Sequence, residues 1–351
     1  MLAALSITAA VLAGAAVPAA PLRDAATLAP VADAALVRPW AYVLLSPFCA
    51  LADAVSILSV RQHVALVAAA LALHVLRRVW RRRPRLRAPV RLRAALRETT
   101  LALAALAAVV SFYAVVTLVP RPMAALGLAD ADVVRVDFHA HTSASWDARP
   151  GTLVESVRAW QRAAGFDAAY VTDHSTWRGA GDAARGNPRR AGAGTVLLPG
   201  IEIVDYTAFH YNILGDSFPQ CAASSERRAK HAFERCVLAS ARATAGRDRV
   251  IAITIPGDVR ALPARRQLTA RYARAIEIVD GSPRGLEQER RDRAEILRIA
   301  ERLDLALLAG SDNHGWGRAA PAWTLLRIPG WRALSPAASR RRSRWPGRSA
   351  P

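Results

Sequence analysis

The stretch Val133–His141 constrains this chain most, because its pattern is that of a short strand ending in two histidines. Residues i and i+2 of an extended chain point to the same face, so Asp137, His139 and His141 can all face one spot at the strand's end. Two imidazoles beside a carboxylate are a ligand set that zinc, manganese or iron accepts. The His-x-His motif alone is common, so its meaning depends on which residues stand at the ends of the other strands.

Downstream of this strand, strand and helix patterns alternate along the chain. The predicted strands are Val133–Phe138, Ala168–Thr172, Thr195–Leu198, Ile201–Val204, His210–Leu214, Val250–Ile255, Ala275–Val279 and Leu305–Ala309. The predicted helices are Thr152–Ala164, Ser224–Thr244 and Leu286–Leu303. Thr152 and Glu155 have capping-box spacing at the start of the first helix, and Gly165 ends it. Apolar strands that alternate with helices predict an α/β fold of parallel strands covered by helices.

Polar residues follow these strands at the ends where α/β barrels form their sites. They are His139, His141, Asp147, Asp173, His174, Glu202, His210, Asp312 and His314. The chain has eight histidines, and five of them stand at these positions. A structural role would be the simpler interpretation of any single one, but the recurrence of the set indicates a metal centre.

Four of these motifs, in this order, resemble those of the PHP (polymerase and histidinol phosphatase) domain. They are His139-Ala-His141, Thr172-Asp173-His174, Gly200-Ile-Glu202-Ile and Gly310-Ser-Asp312-Asn-His314-Gly. The resemblance covers roughly Asp132 to Arg327. It implies a distorted (β/α)7 barrel with two or three divalent metal ions (manganese, zinc or iron) that hydrolyses phosphate mono- or diesters. Small phosphoesterases of nucleotides or short oligonucleotides are the more similar branch of the family.

The resemblance also implies a role for each site residue. The ligands of a first ion would be His139, His141, Glu202 and Asp312. Glu202 would bridge to a second ion, with His210 as a further ligand. The group that would hold a third ion or position the phosphate consists of Asp147, His174 and His314. These three are also the candidate catalytic residues, since either imidazole could protonate the leaving oxygen.

One position departs from the family pattern. The family has a His-Pro pair after the fifth strand, and that histidine is a ligand of the second metal, whereas this chain has Ile255-Pro256. Because Ile255 cannot coordinate, the second site would be weakened, completed by water, or rebuilt by a neighbour such as Asp258. A catalytically impaired module that binds metal or phosphate is therefore an alternative to an active enzyme.

The implied chemistry is hydrolysis by a metal-activated water, because paired cations about 3.5–4 Å apart can hold the attacking and leaving oxygens of a phosphate ester. Hydrolysis of another bond, such as an amide, is a second alternative. Four arginines follow site motifs and could bind a phosphate, although a solvated surface position is the expected interpretation of each. They are Arg178, Arg260, Arg284 and Arg318. Glu277, inside a predicted strand, is interpreted as support for the site.

The first 120 residues consist almost entirely of Ala, Val and Leu interrupted by arginines. Four apolar stretches predict three or four transmembrane helices: Leu2–Ala20, Trp40–Val60, His63–Leu76 and Thr99–Val119. The last contains about 20 uncharged residues, enough to cross a bilayer core of about 30 Å. Leu2–Ala20 could equally be a signal peptide, although it lacks a positive start. Buried helices of a soluble domain are the alternative for the others. Asp53 would face another helix or lie near an end, since a carboxylate is costly in lipid.

The net charge of +20 comes almost wholly from arginine, since Lys230 is the only lysine. This compositional bias makes the charge a weak indication of nucleic-acid binding. Arginines crowd at Arg77–Arg97 and Arg340–Arg348, and such runs beside apolar segments mark the cytoplasmic side of a membrane. The chain after the fourth helix would then lie on the opposite side. There Cys221 and Cys236 could form a disulfide, with two free thiols as the alternative.

The predicted organisation is a membrane region at 1–120 with an Arg-rich loop at 77–97, a linker at 121–131, a PHP-like domain at 132–335 and a disordered tail at 336–351. We predict a multi-pass protein of a bacterial inner membrane with its hydrolase domain on the periplasmic side. Its partners would be the lipid bilayer and a phosphorylated small molecule or short nucleic acid, and the sequence indicates no protein partner. Three cysteines without a Cys-x-x-Cys pair exclude a zinc ribbon.

Overall fold

The computed structural model describes residues 22–81, 88–204, 209–215, 221, 227–244, 250–254, 259 and 273–336. Several sequence predictions lie outside these residues. They concern Leu2–Ala20, Ile255, Asp258, Arg260 and the tail from residue 337 onward.

Eight strands form one sheet that curves into a nearly closed barrel. In chain order the strands of the molecule are β1 (Ala34–Val37), β2 (Ala125–Leu128), β3 (Val133–Ala140), β4 (Ala168–Val171), β5 (Val196–Val204), β6 (His210–Leu214), β7 (Val250–Ile253), β8 (Ala273–Asp280), β9 (Ala306–Gly310) and β10 (Thr324–Arg327). The order within the sheet is β10-β3-β4-β5-β6-β7-β8-β9. The chain after β9 returns to β3, because the Asp312 amide donates to the His139 carbonyl at 2.8 Å and the His141 amide donates to the Asn313 carbonyl at 3.0 Å. The two ends of the sheet therefore meet where β3 ends.

The predicted α/β barrel is confirmed, but its strands are mixed in direction, which corrects the expectation of parallel strands throughout. Pairs within β3-β4-β5 and β7-β8-β9 are parallel. In contrast, β6 runs antiparallel to both β5 and β7, and β10 runs antiparallel to β3. A parallel connection needs a dozen or more residues, and residues 205–209 are too few to cross over between β5 and β6. The predicted strands Thr195–Leu198 and Ile201–Val204 form the single strand β5, since Pro199 and Gly200 stay extended within it.

Eight α-helices are present in the described part of the chain. They are α1 (Trp40–Leu44), α2 (Ser46–Ser56), α3 (Val60–Arg81), α4 (Ala88–Leu118), α5 (Val154–Ala163), α6 (Arg178–Arg185), α7 (Arg227–Thr244) and α8 (Pro283–Leu303). The N-cap of α5 is Leu153 and carries no side-chain hydrogen bond, so the capping box predicted for Thr152 and Glu155 is wrong. The backbone of Thr152 is instead bonded to Arg149 and Ser143 in the preceding loop.

Apolar side chains fill the interior of the barrel. This cluster takes members from β3 to β9 and includes Val136, Phe138, Tyr170, Leu198, Leu308 and Trp331. The rings of Phe138 and Tyr170 stack with centroids 5.4 Å apart. Because this layer occupies the middle of the barrel, polar side chains can gather at the end where β3, β4 and β9 terminate.

The N-terminal region contains two helices that are long and apolar enough to cross a bilayer. They are the 18-residue stretch Val60–Arg77 of α3, with 0% of its residues buried, and the 23-residue stretch Leu96–Leu118 of α4, whose apolar window is 6% buried. The predicted span Trp40–Val60 is not one helix, which is a correction. Pro47 lies in the first turn of α2, and proline cannot continue a helix that began at Trp40. The 11 residues of α2 are too few to cross a bilayer.

The N-terminal region is attached to the barrel by polar contacts. Asp53 accepts a hydrogen bond from the Tyr42 hydroxyl at 2.8 Å and forms an ion pair with Arg121. Asp53 thus contacts a neighbouring helix, as predicted. Strand β2 lies within the predicted linker at 121–131 and pairs antiparallel with β1.

Cys221 and Cys236 form a disulfide, so the alternative of two free thiols is excluded.

Candidate metal centre

Two histidines and two carboxylates surround one point at the end of β3. His139 and His141 are 1% and 0% exposed. Nε2 of His139 lies 3.1 Å from Oε2 of Glu202 and 3.3 Å from Oδ1 of Asp312. Nε2 of His141 lies 3.4 Å and 3.1 Å from the same two oxygens. Ligand atoms of all four residues fall within 4.8 Å of one another, a spacing that one metal ion could span.

A second group of imidazoles lies beside the first. Ligand atoms of His141, His174 and His314 also fall within 4.8 Å of one another. The carboxylate of Asp147 joins them. Its Oδ2 lies 3.3 Å from Nε2 of His174, and its Oδ1 lies 3.3 Å from Nε2 of His314. The rings of His141 and His314 stack with centroids 4.0 Å apart. Two imidazolium charges this close would repel each other, so both rings are not charged together. Burial by itself would lower the pKa of His314, but Asp147 and Asp312 raise it to about 9.

Glu202 connects these groups. Its Oε2 lies 3.0 Å from Nδ1 of His174, in addition to its contacts with His139 and His141. Its Oε1 lies 2.6 Å from Nδ1 of His210. Glu202 is 2% exposed, so both oxygens are directed into the cluster. A carboxylate that faces imidazoles on both sides is placed to bridge two ions.

The structure brings all eight predicted ligands into this one cluster, called the metal centre below. They are His139, His141, Asp147, His174, Glu202, His210, Asp312 and His314. They come from β3, β5, the start of β6 and the loops after β3, β4 and β9. The three predicted catalytic residues, Asp147, His174 and His314, line the open cavity described below together with four of the other ligands.

Asp137 does not face the centre, which corrects the expectation that it lies on one face with the two histidines. The ladder between β3 and β4 has a register irregularity between Asp137 and Ala140, and this breaks the simple alternation of faces. The carboxylate of Asp137 accepts hydrogen bonds from the Ser311 amide at 2.8 Å, the Ser311 hydroxyl at 2.6 Å and Gln161 at 2.6 Å. Asp137 thereby fixes the residue that precedes Asp312.

Asp173 also supports the centre from outside. It accepts hydrogen bonds from the Thr142 amide at 2.7 Å and from the Ser145 hydroxyl at 3.0 Å. The Ser145 oxygen lies 2.9 Å from Nδ1 of His141. Since the Ser145 hydroxyl donates to Asp173, it accepts from His141, and the ring of His141 is held with Nδ1 protonated.

The same orientation recurs at two other histidines. Nδ1 of His314 lies 2.9 Å from the carbonyl of Asp312, which can only accept, so Nδ1 must donate. Nδ1 of His139 lies 3.1 Å from the buried carboxylate of Glu277 and donates to it. Nε2 is then the ring nitrogen directed into the centre, and it offers a lone pair to a cation once it has lost its proton. Carboxylates and carbonyls behind the ligating histidines are the usual supports of metal sites.

Unpartnered buried atoms test whether a metal fits this site. Nε2 of His141, Nε2 of His314 and Oδ1 of Asp147 are buried and, among the described residues, make no hydrogen bond of suitable geometry, although carboxylate oxygens lie 3.1 Å and 3.3 Å from the two nitrogens. Leaving three such atoms unsatisfied would be costly unless a cation accepts their lone pairs. All three belong to the groups defined above. The donor set of imidazole nitrogens and carboxylate oxygens fits zinc, manganese or iron.

Burial and the charges within the centre shift the pKa values of its side chains. Burial and the nearby ring of His314 lower the pKa of His141 to about 3, so this ring is neutral at pH 7. Burial by itself would raise the pKa of Glu202, but the charges of His174 and His139 hold it well below its usual value. Glu202 is therefore an ionised carboxylate, the form that binds a cation.

Sequence reasoning gave Glu277 a supporting role, and it did not place Asp280 at the site. Ligand atoms of His139, Glu277 and Asp280 lie within 4.8 Å of one another, on the side of His139 away from Glu202. Burial, followed by the charges of Asp312 and Glu277, raises the pKa of Asp280 well above its usual value. Two acids in strand β8, which is apolar elsewhere except at Arg274, were the available signal. We interpret Glu277 as the residue that orients His139.

Backbone geometry at the site is specialised. Gly310 ends β9 where a Cβ atom would collide with His139 and Glu277. Asp312 has a φ of 44° and Ser175, which follows His174, has a φ of 52°. Left-handed conformations of residues other than glycine cluster at functional sites because the surrounding contacts must hold them in place.

A cavity of about 350 Å³ opens onto the centre, and we call it the mouth cavity. Its volume lies in the range typical of small-molecule sites. Of the four arginines considered, Arg284 lines this cavity. Arg178 is exposed at the start of α6, and Arg318 donates to the carbonyl of Arg121. Arg260 lies outside the described residues.

No protein-family profile and no curated protein matches this chain. Solved structures with 17% sequence identity are similar to it. One is described as a metal-dependent phosphoesterase from Bifidobacterium adolescentis, with a TM-score of 0.37 over 60% of this chain and 96% of that chain. Another is a two-domain protein from Bacteroides vulgatus containing a predicted PHP-like metal-dependent phosphoesterase, with a TM-score of 0.32 over 52% of each chain. The third is an amidohydrolase from Chromobacterium violaceum with bound sulfate and no metal, with a TM-score of 0.34 over 58% of this chain and 99% of that chain. These TM-scores are below 0.5, so the chemistry of the centre rests on its own residues.

Proposed function

We propose that this protein is a membrane-anchored, metal-dependent phosphoesterase that hydrolyses phosphate mono- or diesters. The observation that carries the proposal is the convergence of Nε2 of His139 and Nε2 of His141 on the carboxylates of Glu202 and Asp312. Nε2 of His314 lies beside them and faces Asp147. A bound divalent cation supplies Lewis-acid chemistry at such a centre by polarising a phosphoryl oxygen and acidifying water.

The residues of the chain divide the remaining work. Glu202 and Asp312 would hold cations at the inner end of the mouth cavity, while Glu277 keeps the ring of His139 in its ligating orientation. His174 and His314 line the same cavity beside Asp147, so whichever ring does not hold an ion can give a proton to the leaving oxygen. Phosphate esters are proposed rather than amides because the four motifs together resemble the PHP family.

The membrane anchor is part of the same proposal. Residues of the two candidate spans are almost wholly exposed, which is unfavourable in water for helices of this composition. A bilayer would cover them. The Cys221–Cys236 disulfide supports a location outside the cytoplasm, where disulfides persist. We accordingly propose a bacterial inner membrane, with the barrel on the periplasmic side.

The test uses the full chain purified in detergent. The protein is stripped with a chelator, reloaded separately with manganese, zinc or iron, and assayed with p-nitrophenyl phosphate and bis(p-nitrophenyl) phosphate. We expect turnover that requires metal, with two or three ions bound per chain. Bound metal without turnover of either ester would favour the impaired module that Ile255 suggested. Protein that binds no metal would refute the proposal altogether.

A further inference from the structure

The mouth cavity has two chemically different walls. One wall is the metal centre, with His139, Glu202 and Asp312 among its residues. The opposite wall comes from the N-terminal helices and includes Val55 and Ser56 of α2, His63 of α3, and Tyr113, Val116 and Thr117 of α4. A ligand that fills the cavity therefore meets cation ligands at one end and a wall of uncharged apolar, aromatic and hydroxyl side chains at the other.

The apolar wall is formed where the two candidate spans meet the barrel. The first span starts at Val60 and the second ends at Leu118, so both have this end beside the cavity. Nδ1 of His63 lies 2.9 Å from the hydroxyl of Tyr113, which joins the two helices. The Gly317 amide donates to the carbonyl of Thr117 at 3.2 Å, which joins α4 to the loop that follows the centre.

This wall is fixed to the barrel on both sides. The ion pair of Asp53 with Arg121 holds α2 to the chain that enters the barrel, and Arg121 is 5% exposed. Arg61 forms an ion pair with Glu287 of α8 at the start of α3. The helices therefore form part of the cavity wall. The metal centre lies beside the ends of the two spans, at Val60 and Leu118.

Exposed tryptophans surround the same region. Trp316 lines the cavity, is 48% exposed and lies with its indole nitrogen 3.4 Å from the carbonyl of Asp147. Trp146 is 79% exposed and stacks beside His174 with centroids 6.3 Å apart. Trp and Tyr are enriched where a protein meets the headgroup level of a bilayer. These side chains would place the cavity at that level.

We propose that the substrate is the phosphate ester of a membrane lipid, bound with its phosphate at the metal centre and its hydrocarbon chains against the wall formed by α2, α3 and α4. This inference rests on the proposed function and names its substrate class. In the reaction the oxygen of water bonds to phosphorus, the ester P–O bond breaks, and the leaving lipid oxygen takes a proton. The products are a lipid alcohol and a phosphate, and water is the only co-reactant.

The test compares substrates that share one headgroup. The full chain, loaded with manganese in detergent micelles, is assayed with phosphatidic acid and with glycerol 3-phosphate, which lacks the acyl chains. A diester pair, phosphatidylglycerol and glycerophosphoglycerol, is assayed in the same micelles. We expect kcat/KM to be about 100-fold higher for the lipid member of at least one pair, an effect that three to four buried methylene groups would supply.

Neighbouring valines of α4 provide a matched pair of variants. Val116 is 0% exposed and packs in one cluster with Ala52 and Val55, so Val116→Thr adds a hydroxyl to the cavity wall with almost no change of shape, whereas Val115 is 39% exposed and does not line the cavity. We expect Val116→Thr to lower kcat/KM about tenfold more for the lipid than for glycerol 3-phosphate, since burying a hydroxyl against hydrocarbon is unfavourable. Val115→Thr should leave both unchanged. Thermal unfolding of both variants checks that they fold.

The outcomes separate the two proposals. Equal kcat/KM for the lipid and soluble members of both pairs would overturn the lipid assignment and leave the phosphoesterase standing. Turnover of p-nitrophenyl esters alone would do the same. If the metal-loaded protein hydrolysed no phosphate ester of any kind, the proposed function and this inference would both be overturned. The wild-type comparison decides the matter even if the Val116 variant is unstable.

Discussion

Glu202 has its position because β5 is buried on both faces. Its neighbours Ile201 and Ile203 are each 0% exposed and pack in the apolar cluster between sheet and helices. The alternation of a strand then directs Glu202 to the opposite face, into the centre. A buried carboxylate at such a place is stable only with compensating positive charge, so the ligand role follows from packing as well as from residue type.

Asp312→Asn should separate metal binding from folding. The change keeps the shape of the side chain and removes the charge that faces His139 and His141 at 3.3 and 3.1 Å. We expect metal affinity to fall by at least 10- to 100-fold and turnover to be lost, measured by titration with manganese and zinc and by ester hydrolysis. Asp304→Asn is the matched control, because Asp304 is exposed at the end of α8 and has a φ of 52° that asparagine accepts. Unchanged metal affinity in the Asp312 variant would contradict its ligand role.

Glu277→Gln tests the support behind His139. Glutamine can still accept the hydrogen bond from Nδ1, which lies 3.1 Å from Oε1, but it carries no charge to strengthen the imidazole as a ligand. We expect metal affinity to fall about tenfold, with a smaller loss of turnover at saturating metal. Rescue by excess metal distinguishes this orienting role from participation in the reaction. A variant that lost turnover equally at all metal concentrations would disprove the assignment.

At the scale of elements, the sequence predicted strand positions better than strand directions. The bounds predicted for β6 match those observed, and the bounds for β3 and β4 are close. Apolar runs indicate where strands are buried, but direction depends on the connection, and the short loop between β5 and β6 makes β6 antiparallel. Strands β1, β2 and β10 were not predicted, although β4 and β7 are equally short, because most of their residues are partly buried or exposed and form no apolar run that marks a core strand.

Candidate ligands that belong to a short sequence motif were predictable, whereas a site residue outside any motif was harder to identify. His-x-His, Thr-Asp-His and Ser-Asp-Asn-His are recognisable at strand ends, and the structure groups their histidines. Asp280 has no such motif, and its place beside His139 depends on the register of β8 against β9. The apolar wall of the mouth cavity was not predictable either, since the contact of α2 and α4 with the barrel mouth joins residues far apart in the chain.

The attachment of α2 to the barrel should show strong coupling between two charges. Asp53 and Arg121 form an ion pair in which the arginine side chain is 1% exposed and the aspartate side chain 22% exposed. Removing one partner of a buried pair costs about 3 kcal/mol, because the other charge is left without compensation. We therefore expect Arg121→Leu and Asp53→Leu each to lower the thermal unfolding temperature of the full chain in detergent clearly.

The double variant and an exposed pair supply the controls for this attachment. Combining Arg121→Leu with Asp53→Leu should destabilise less than the sum of the single changes, which a double-mutant cycle measures. Arg61→Leu breaks a pair in which the arginine is 78% exposed, so its effect should be below about 1 kcal/mol. Strict additivity at Asp53 and Arg121 would mean that the two side chains do not stabilise each other.

At the scale of the whole molecule, the path of the chain limits its topology in a membrane. Residues before α3 contact the barrel, since Arg293 of α8 donates to the carbonyl of Ala25 at 2.6 Å. The chain leaves this unit at Val60 and rejoins it at Leu118. If both candidate spans cross a bilayer, they bring the chain back to the side from which it left, and residues 22–59 share one compartment with the barrel. The arginine-rich segment predicted as a loop at 77–97 is helical at 77–81 and 88–97, and it would lie in the other compartment.

Reporter fusions test this arrangement at three points of the chain. One fusion follows Ser59, one follows Ala131, and one stands at Arg85 in the loop between the candidate spans. We expect an export-dependent reporter to be active in the first two and a cytoplasm-dependent reporter to be active in the third, because arginine-rich loops stay in the cytoplasm. Replacing Arg82, Arg83, Arg85 and Arg87 by glutamine should weaken this preference, whereas arginine-to-glutamine changes on the exposed face of α8 should not. The same reporter state at all three fusion points would show that α3 and α4 do not cross the bilayer, and it would leave the lipid-facing wall of the mouth cavity without its membrane.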